Sequence, residues 1–187
     1  MKEVEVKILE VDRPRIENKL IAIGAKKIFD GEINAILLDF NNKSISRQKN
    51  ILRLRKEGEK SFLTLKKYRH MKKAKACDEY EIKTSDFETT RKILELLGLK
   101  KIGKIVKQRK SYILNNAKFE FDKYKKDYNF VPEFLEIEAK DLKTVFKYVK
   151  VLGFNEKDCK PWSTKEVVEH YQKKRLRKKN SKKKTKK

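Results

Sequence analysis

The sequence predicts an α+β fold of about eight strands in mostly antiparallel succession, with three or four helices. Three observations lead there. A strand–helix–glycine unit recurs three times along the chain. The segments between these units alternate apolar and polar residues, the period of a strand with one wetted face. Charged residues make up 42% of the 187 residues, but ten Phe, seven Tyr and 38% hydrophobic residues suffice for one core.

In chain order, the first unit covers residues 3–28: a Glu-x-Glu strand, Asp12, then a helix stopped at Gly24. Ile16, Leu20 and Ile23 fall on one face of that helix. Lys26–Phe40 reads as one or two strands and residues 41–50 as a loop. ILRLRK (51–56) and SFLTLKK (61–67) alternate as strands, and 68–76 reads as a second loop. The second unit, residues 79–102, has Asp86 and a stop at Gly98. Ser85 and Glu88 have capping-box spacing there, and Phe87, Leu94 and Leu97 share a face. Strands follow at 104–114 and 117–124. The third unit, residues 134–157, has Asp141, the apolar row Leu142, Val145, Val149 and Leu152, and a stop at Gly153. Asp suits a helix N-cap and glycine a left-handed helix stop. A last helix begins near Ser163 and gives way to a basic tail expected to be disordered, residues 173–187, leaving 1–172 as the folded unit.

Side chains two apart on a strand share a face. One face thereby collects Glu3, Glu5 and Lys7; Arg53 and Arg55; Thr64 and Lys66; Glu79, Glu81 and Lys83; Lys107 and Arg109; Lys118, Glu120 and Asp122; and Glu136 and Glu138. Apart from Thr64 the rows are all charged, eight cations against eight acids. On an open antiparallel sheet this would be the wet face. On a closed sheet it would line a channel with cations for an anionic ligand and carboxylates for Mg²⁺ or Mn²⁺. Alternation alone leaves both forms open.

These ordered motifs resemble the CYTH superfamily, the triphosphate tunnel metalloenzymes, over residues 1 to about 171. Glu3-x-Glu5-x-Lys7, Arg53-Leu54-Arg55, Thr64-Leu65-Lys66, Glu79-x-Glu81, Lys107-x-Arg109 with Tyr112, Asp122, and Glu136-x-Glu138 stand in the family's order. The resemblance implies an eight-stranded antiparallel closed barrel, a tunnel with helices outside. It implies that Lys7, Arg53, Arg55, Lys66 and Arg109 bind a triphosphate. Glu3, Glu5, Asp122, Glu136 and Glu138 would hold one or two divalent metals. Glu79 and Glu81, with Lys83, Lys107 and Glu120, would support these groups. Lys7 is also a candidate for handling the nucleophile's proton.

The implied reaction is that of a class IV adenylyl cyclase, ATP to cyclic AMP and pyrophosphate. Hydrolysis of tripolyphosphate or of a nucleoside or thiamine triphosphate is the alternative. The chain departs from the family at Ala35-Ile36-Leu37-Leu38-Asp39, where an acidic and aromatic strand is common, and its single Trp162 lies late. Thiamine triphosphate is therefore the less favoured substrate.

The net charge of +24 points to a polyanionic partner, and 11 Lys and Arg without one acid in 173–187 allow nonspecific nucleic-acid contact. A noncatalytic polyanion- or RNA-binding module is thus the alternative of another class. No segment has the length of a membrane span, and Met1–Asp12 lacks an apolar leader, which leads to a cytoplasmic expectation. Cys77 and Cys159 form no metal-binding or disulfide pattern and read as inert thiols. Gly98-x₄-Gly103-Lys104 lacks the Ser or Thr of a phosphate-binding loop. His70 and His170 accompany no Ser or Cys nucleophile motif. The sequence leaves the oligomeric state, monomer or homodimer, undetermined.

Overall fold

The structure is a computed structural model that describes residues 2–69 and 71–184. His70 and residues 185–187 of the expected tail lie outside the described residues. The strands are β1 (Lys2–Leu9), β2 (Lys26–Phe40), β3 (Asn50–Glu57), β4 (Lys60–Arg69), β5 (Lys75–Thr84), β6 (Leu99–Leu114), β7 (Ala117–Tyr124), β8 (Phe134–Ala139) and the two-residue β9 (Cys159–Lys160). The helices are α1 (Arg13–Ala22), α2 (Ser44–Arg47), α3 (Phe87–Leu96), α4 (Leu142–Val151) and α5 (Thr164–Lys184).

The sheet runs β5-β4-β3-β2-β6-β7-β8-β1, and β5 also pairs with β1, so eight antiparallel strands close into a barrel. β9 adds a short extra strand to the edge of β1 beyond β5. Closure removes both sheet edges and turns the charged face inward. Lys26–Phe40 is one long strand with two register shifts, the second beside Gly103. The expected loop at 41–50 contains α2, whose backbone N–H groups at Ile45 and Ser46 donate to the buried Asp39 carboxylate.

The three repeated units fold alike. Asp12, Asp86 and Asp141 cap α1, α3 and α4 by accepting from the backbone N–H three residues on. Gly24, Gly98 and Gly153 end them at φ of +88°, +94° and +88°. At α3 the cap is Asp86 itself, so the Ser85–Glu88 capping box does not form: a side chain one residue nearer the helix takes the N–H first. Ile23 and Leu97, expected on the buried faces, stand 38% and 66% exposed because both helices end just before them.

Three apolar clusters hold the barrel. Under α1 and α4, the outward residues Val4, Val6, Ile8, Phe119, Phe121, Leu135 and Ile137 pack with Ile16, Leu20, Val145 and Val149. Under α3, Leu94 meets Ile36, Leu38, Leu54 and Leu99. The third cluster closes one end of the barrel. Leu9, Ile105, Tyr124 and Phe134 each stand two residues beyond a charged inward residue, and Val167 and Tyr171 of α5 pack on them. α5 continues to Lys184, beyond the point where a disordered tail was expected. Lys and Arg are good helix formers, and no Gly or Pro interrupts the run.

Candidate active site

Pairing brings the Glu-x-Glu strands together. β8, β1 and β5 are neighbours, with Glu5 opposite Glu138, Lys7 opposite Glu136, and Glu3 opposite Cys77. Directly opposed residues of antiparallel strands share a face, so the three repeated units build one acidic wall. β3, β4 and β6 supply most of the cations: Arg53 and Arg55, Lys66, and Lys107 and Arg109.

The carboxylates divide by what they touch. Oxygens of Glu3, Glu5 and Glu138 lie within 4.8 Å of one another, a spacing that suits a cation. Burial and the neighbouring Glu138 push Glu3 up to about 10, against the lowering effect of Lys66 beside it. Burial alone would raise Glu5, but Lys7 at 2.7 Å and Lys75 at 3.1 Å outweigh it and hold the carboxyl well below its ordinary range. Three crowded carboxylates form a hard oxygen donor set of the kind that suits a divalent cation.

Asp122 and Glu136 are placed differently. Asp122 is fully buried and receives both Arg109 (Nε 2.6 Å, Nη2 2.5 Å) and Lys107 (2.5 Å). Glu136 receives Lys7 at 2.7 Å and Arg109 at 2.8 Å. Arg109 also contacts Glu120, which Ser111 and Lys118 approach from the other side. Burial works against the charge on Arg109, and its three carboxylates overcome that and raise its pKa further. Lys7 behaves in the same way: burial opposes its charge, but Glu136 and Glu5 raise its pKa well above 10.5. Lys107 is the exception, lowered by burial and by Arg109 beside it.

On β4 and β5, Lys66 bridges Glu3 and Glu79, both at 2.8 Å. Glu81 accepts from Thr64 at 2.7 Å and Arg55 at 3.3 Å. Arg53 lies 3.6 Å from Glu79 and 3.8 Å from Glu81. Arg55 also lies over the Phe62 ring, 5.0 Å from its centre. The Nε atoms of Arg53 and Arg55 are buried and have no hydrogen-bond partner among the described residues. Lys83 continues the β5 row to the exposed rim. Tyr112 faces the other way, into the core under α1, where its hydroxyl donates to Glu17 at 2.9 Å.

Cys77 and Lys75, which the sequence reading did not assign to the charged face, join it in the structure. Both face the channel: the Cys77 thiol donates to Glu3 at 3.6 Å, and burial pushes that thiol up to about 12. Extending the Glu79/Glu81 alternation four residues upstream would have found them.

The comparisons agree with this geometry. The CYTH domain family matches residues 1–181. A Methanocaldococcus jannaschii protein that carries a provisional adenylate cyclase name is 31% identical over 157 residues, 81% of this chain and 84% of the relative. The solved PH1012 protein of Pyrococcus horikoshii OT3 aligns with a TM-score of 0.72 at 28% identity, covering 88% of this chain and 98% of its own. A Hippeastrum protein provisionally described as an adenylyl cyclase, with a dominant triphosphatase activity, aligns at 0.61 and 12% identity over 90% and 95%. Family match, closed eight-stranded barrel and inward charged rows together make this chain a member of the CYTH family.

Proposed function

We propose that this chain is a metal-dependent enzyme that acts on triphosphates, with conversion of ATP to cyclic AMP and pyrophosphate as the favoured reaction. The observation that carries the reading is the pair of orphaned Arg53 and Arg55 Nε donors. A buried N–H without an acceptor is costly, and phosphate oxygens supply acceptors in the bidentate form that guanidinium prefers. Arg53, Arg55 and Lys66 hold the phosphate chain from one side. Glu79 and Glu81 fix the directions of those cations.

Glu3, Glu5 and Glu138 would hold Mg²⁺ or Mn²⁺, which when bound neutralises phosphate charge and polarises the phosphorus under attack. Asp122 and Glu136 hold Arg109, Lys107 and Lys7 in position toward the same space. Ion pairs with Glu136 and Glu5 raise the Lys7 pKa well above 10.5, which favours a part in charge neutralisation over one in proton abstraction. Catalysis by such a site rests on positioning and charge neutralisation. Hydrolysis of tripolyphosphate or of a nucleoside triphosphate would use the same grip with water as nucleophile. The unit that performs this chemistry is residues 1–172, acting in the cytoplasm.

The test is product analysis with ATP, tripolyphosphate and thiamine triphosphate, each with Mg²⁺, Mn²⁺ or chelator. Cyclic AMP with pyrophosphate is the expected outcome, and orthophosphate release would replace the cyclase assignment by a hydrolase one. Glu5→Ala and Arg55→Ala should each lower turnover by ~100-fold or more. Intact turnover in the Glu5 variant, or turnover in chelator, would remove the metal-site reading. Absence of turnover on all three substrates would favour a noncatalytic polyanion-binding module.

A further inference from the structure

α5 is two helices in one. Its first half, with Val167 buried and Tyr171 5% exposed, closes the end of the barrel. From Lys173 the character changes: 173–187 carries 11 Lys and Arg and no acid, on a helix described through Lys184. Residues 172–177 are all exposed. Lys174 pairs with Glu10 at 2.8 Å, and Arg175 lies 5.6 Å from the centre of the Phe130 ring, so the helix is tied to the barrel where its basic half begins. From Lys173 to Lys184 it extends about 18 Å. Like charges recur at i, i+4, as in Lys173/Arg177, Lys174/Lys178 and Arg175/Lys179, which destabilises an isolated helix. A polyanion laid along the helix relieves that repulsion.

We propose that the basic half of α5 is a binding element for the phosphodiester backbone of nucleic acid, separate from the tunnel. Leu176 is the only apolar residue in 172–187. A helix that lies on a membrane needs an apolar face to bury, and a protein-docking helix needs apolar or aromatic anchors. This segment has neither, whereas eleven cations with no acid fit a lattice of phosphates read without sequence preference. The element sits at the closed pole, where β1 ends at Leu9, while the acids at the start of β1 and the exposed Lys83 mark the opposite pole. Nucleic acid held there leaves the tunnel mouth free, and the inference stands or falls independently of the tunnel's reaction.

The experiment measures binding of the full chain to fluorescein-labelled single-stranded RNA and duplex DNA of about 24 units, titrated across about 50–200 mM salt. A chain lacking residues 176–187, which keeps the Lys174–Glu10 pair, and Arg55→Ala are compared with it, each checked for unchanged thermal unfolding. The full chain should show a log–log salt slope of about −3 or steeper on either probe. Which probe binds more tightly separates the two sources of phosphodiester. Truncation should weaken binding at least ~5-fold at low salt and flatten the slope, while Arg55→Ala binds as the full chain does. A loss under ~5-fold on truncation, or equal loss in Arg55→Ala, would place binding on the body or in the tunnel and overturn the proposal. So would tighter binding of the intact chain to phosphatidylserine-containing vesicles than to either nucleic acid.

Discussion

Glu3 shows what closing the barrel does to a single residue. Burial and Glu138 push its carboxyl from 4.5 to about 10. Between those values the folded chain keeps a proton that the unfolded chain has lost, so stability falls as pH rises through the window. In chelator, the unfolding free energy should decline from about pH 6 to 9, by at most about 1.4 kcal/mol per pH unit for one proton, and the thermal midpoint with it. Glu3→Gln should flatten that decline, and an unchanged slope in the variant would assign the proton elsewhere. Alternation in the sequence told that Glu3 faces with Glu5 and Lys7. It could not tell that Glu138 stands close by, because the two are 135 positions apart and meet only through the β1–β8 register. Asp122 makes the same point: its place on the charged face was legible, but not that Arg109 and Lys107 occupy it.

Among the elements, the repeated unit was the most legible part of the chain. Cap, helix and glycine stop are encoded within about two dozen residues, and all three copies form them, although Ile23 and Leu97 leave the buried faces. The stops differ in one testable way. A Cβ at Gly98 meets nothing within 4 Å, whereas at Gly153 it would come 2.9 Å from Lys19 Nζ. That ammonium donates to the Leu152 carbonyl at 2.9 Å. Gly98→Ala should therefore cost only the left-handed backbone, about 1–2 kcal/mol. Gly153→Ala should cost more, because it also displaces that hydrogen bond. Denaturant unfolding of the two variants measures the difference, and equal losses would show that Lys19 moves aside freely. The boundaries were less legible where two local signals compete. Asp86 displaced Ser85 as cap, and the helix-forming Lys and Arg run carried α5 past the expected start of the tail.

In the whole molecule, the acidic wall is a collective product of three adjacent strands, and crowding of its carboxylates is a standing cost of the metal-free fold. Mg²⁺ or Mn²⁺ should therefore stabilise the fold, by about 2.7 kcal/mol when present at 100 times its dissociation constant, and raise the unfolding midpoint. For a chain of this size that is on the order of 5–10 °C. Glu138→Gln should lose most of the shift, and a full shift in that variant would move the site away from Glu3 and Glu5. By itself the sequence determined the order of the main strands and of the three capped helices, the residues that share the charged face, and the family resemblance that named a closed barrel. These rest on periods of two and of 3.6, on caps and on glycine, all local in origin. Only the tertiary structure decided that β5 closes on β1, that α5 seals one end, and which acid meets which cation. Those outcomes depend on registers between strands about 70 or more positions apart. Sheet twist and shear set such registers, and no local pattern carries them.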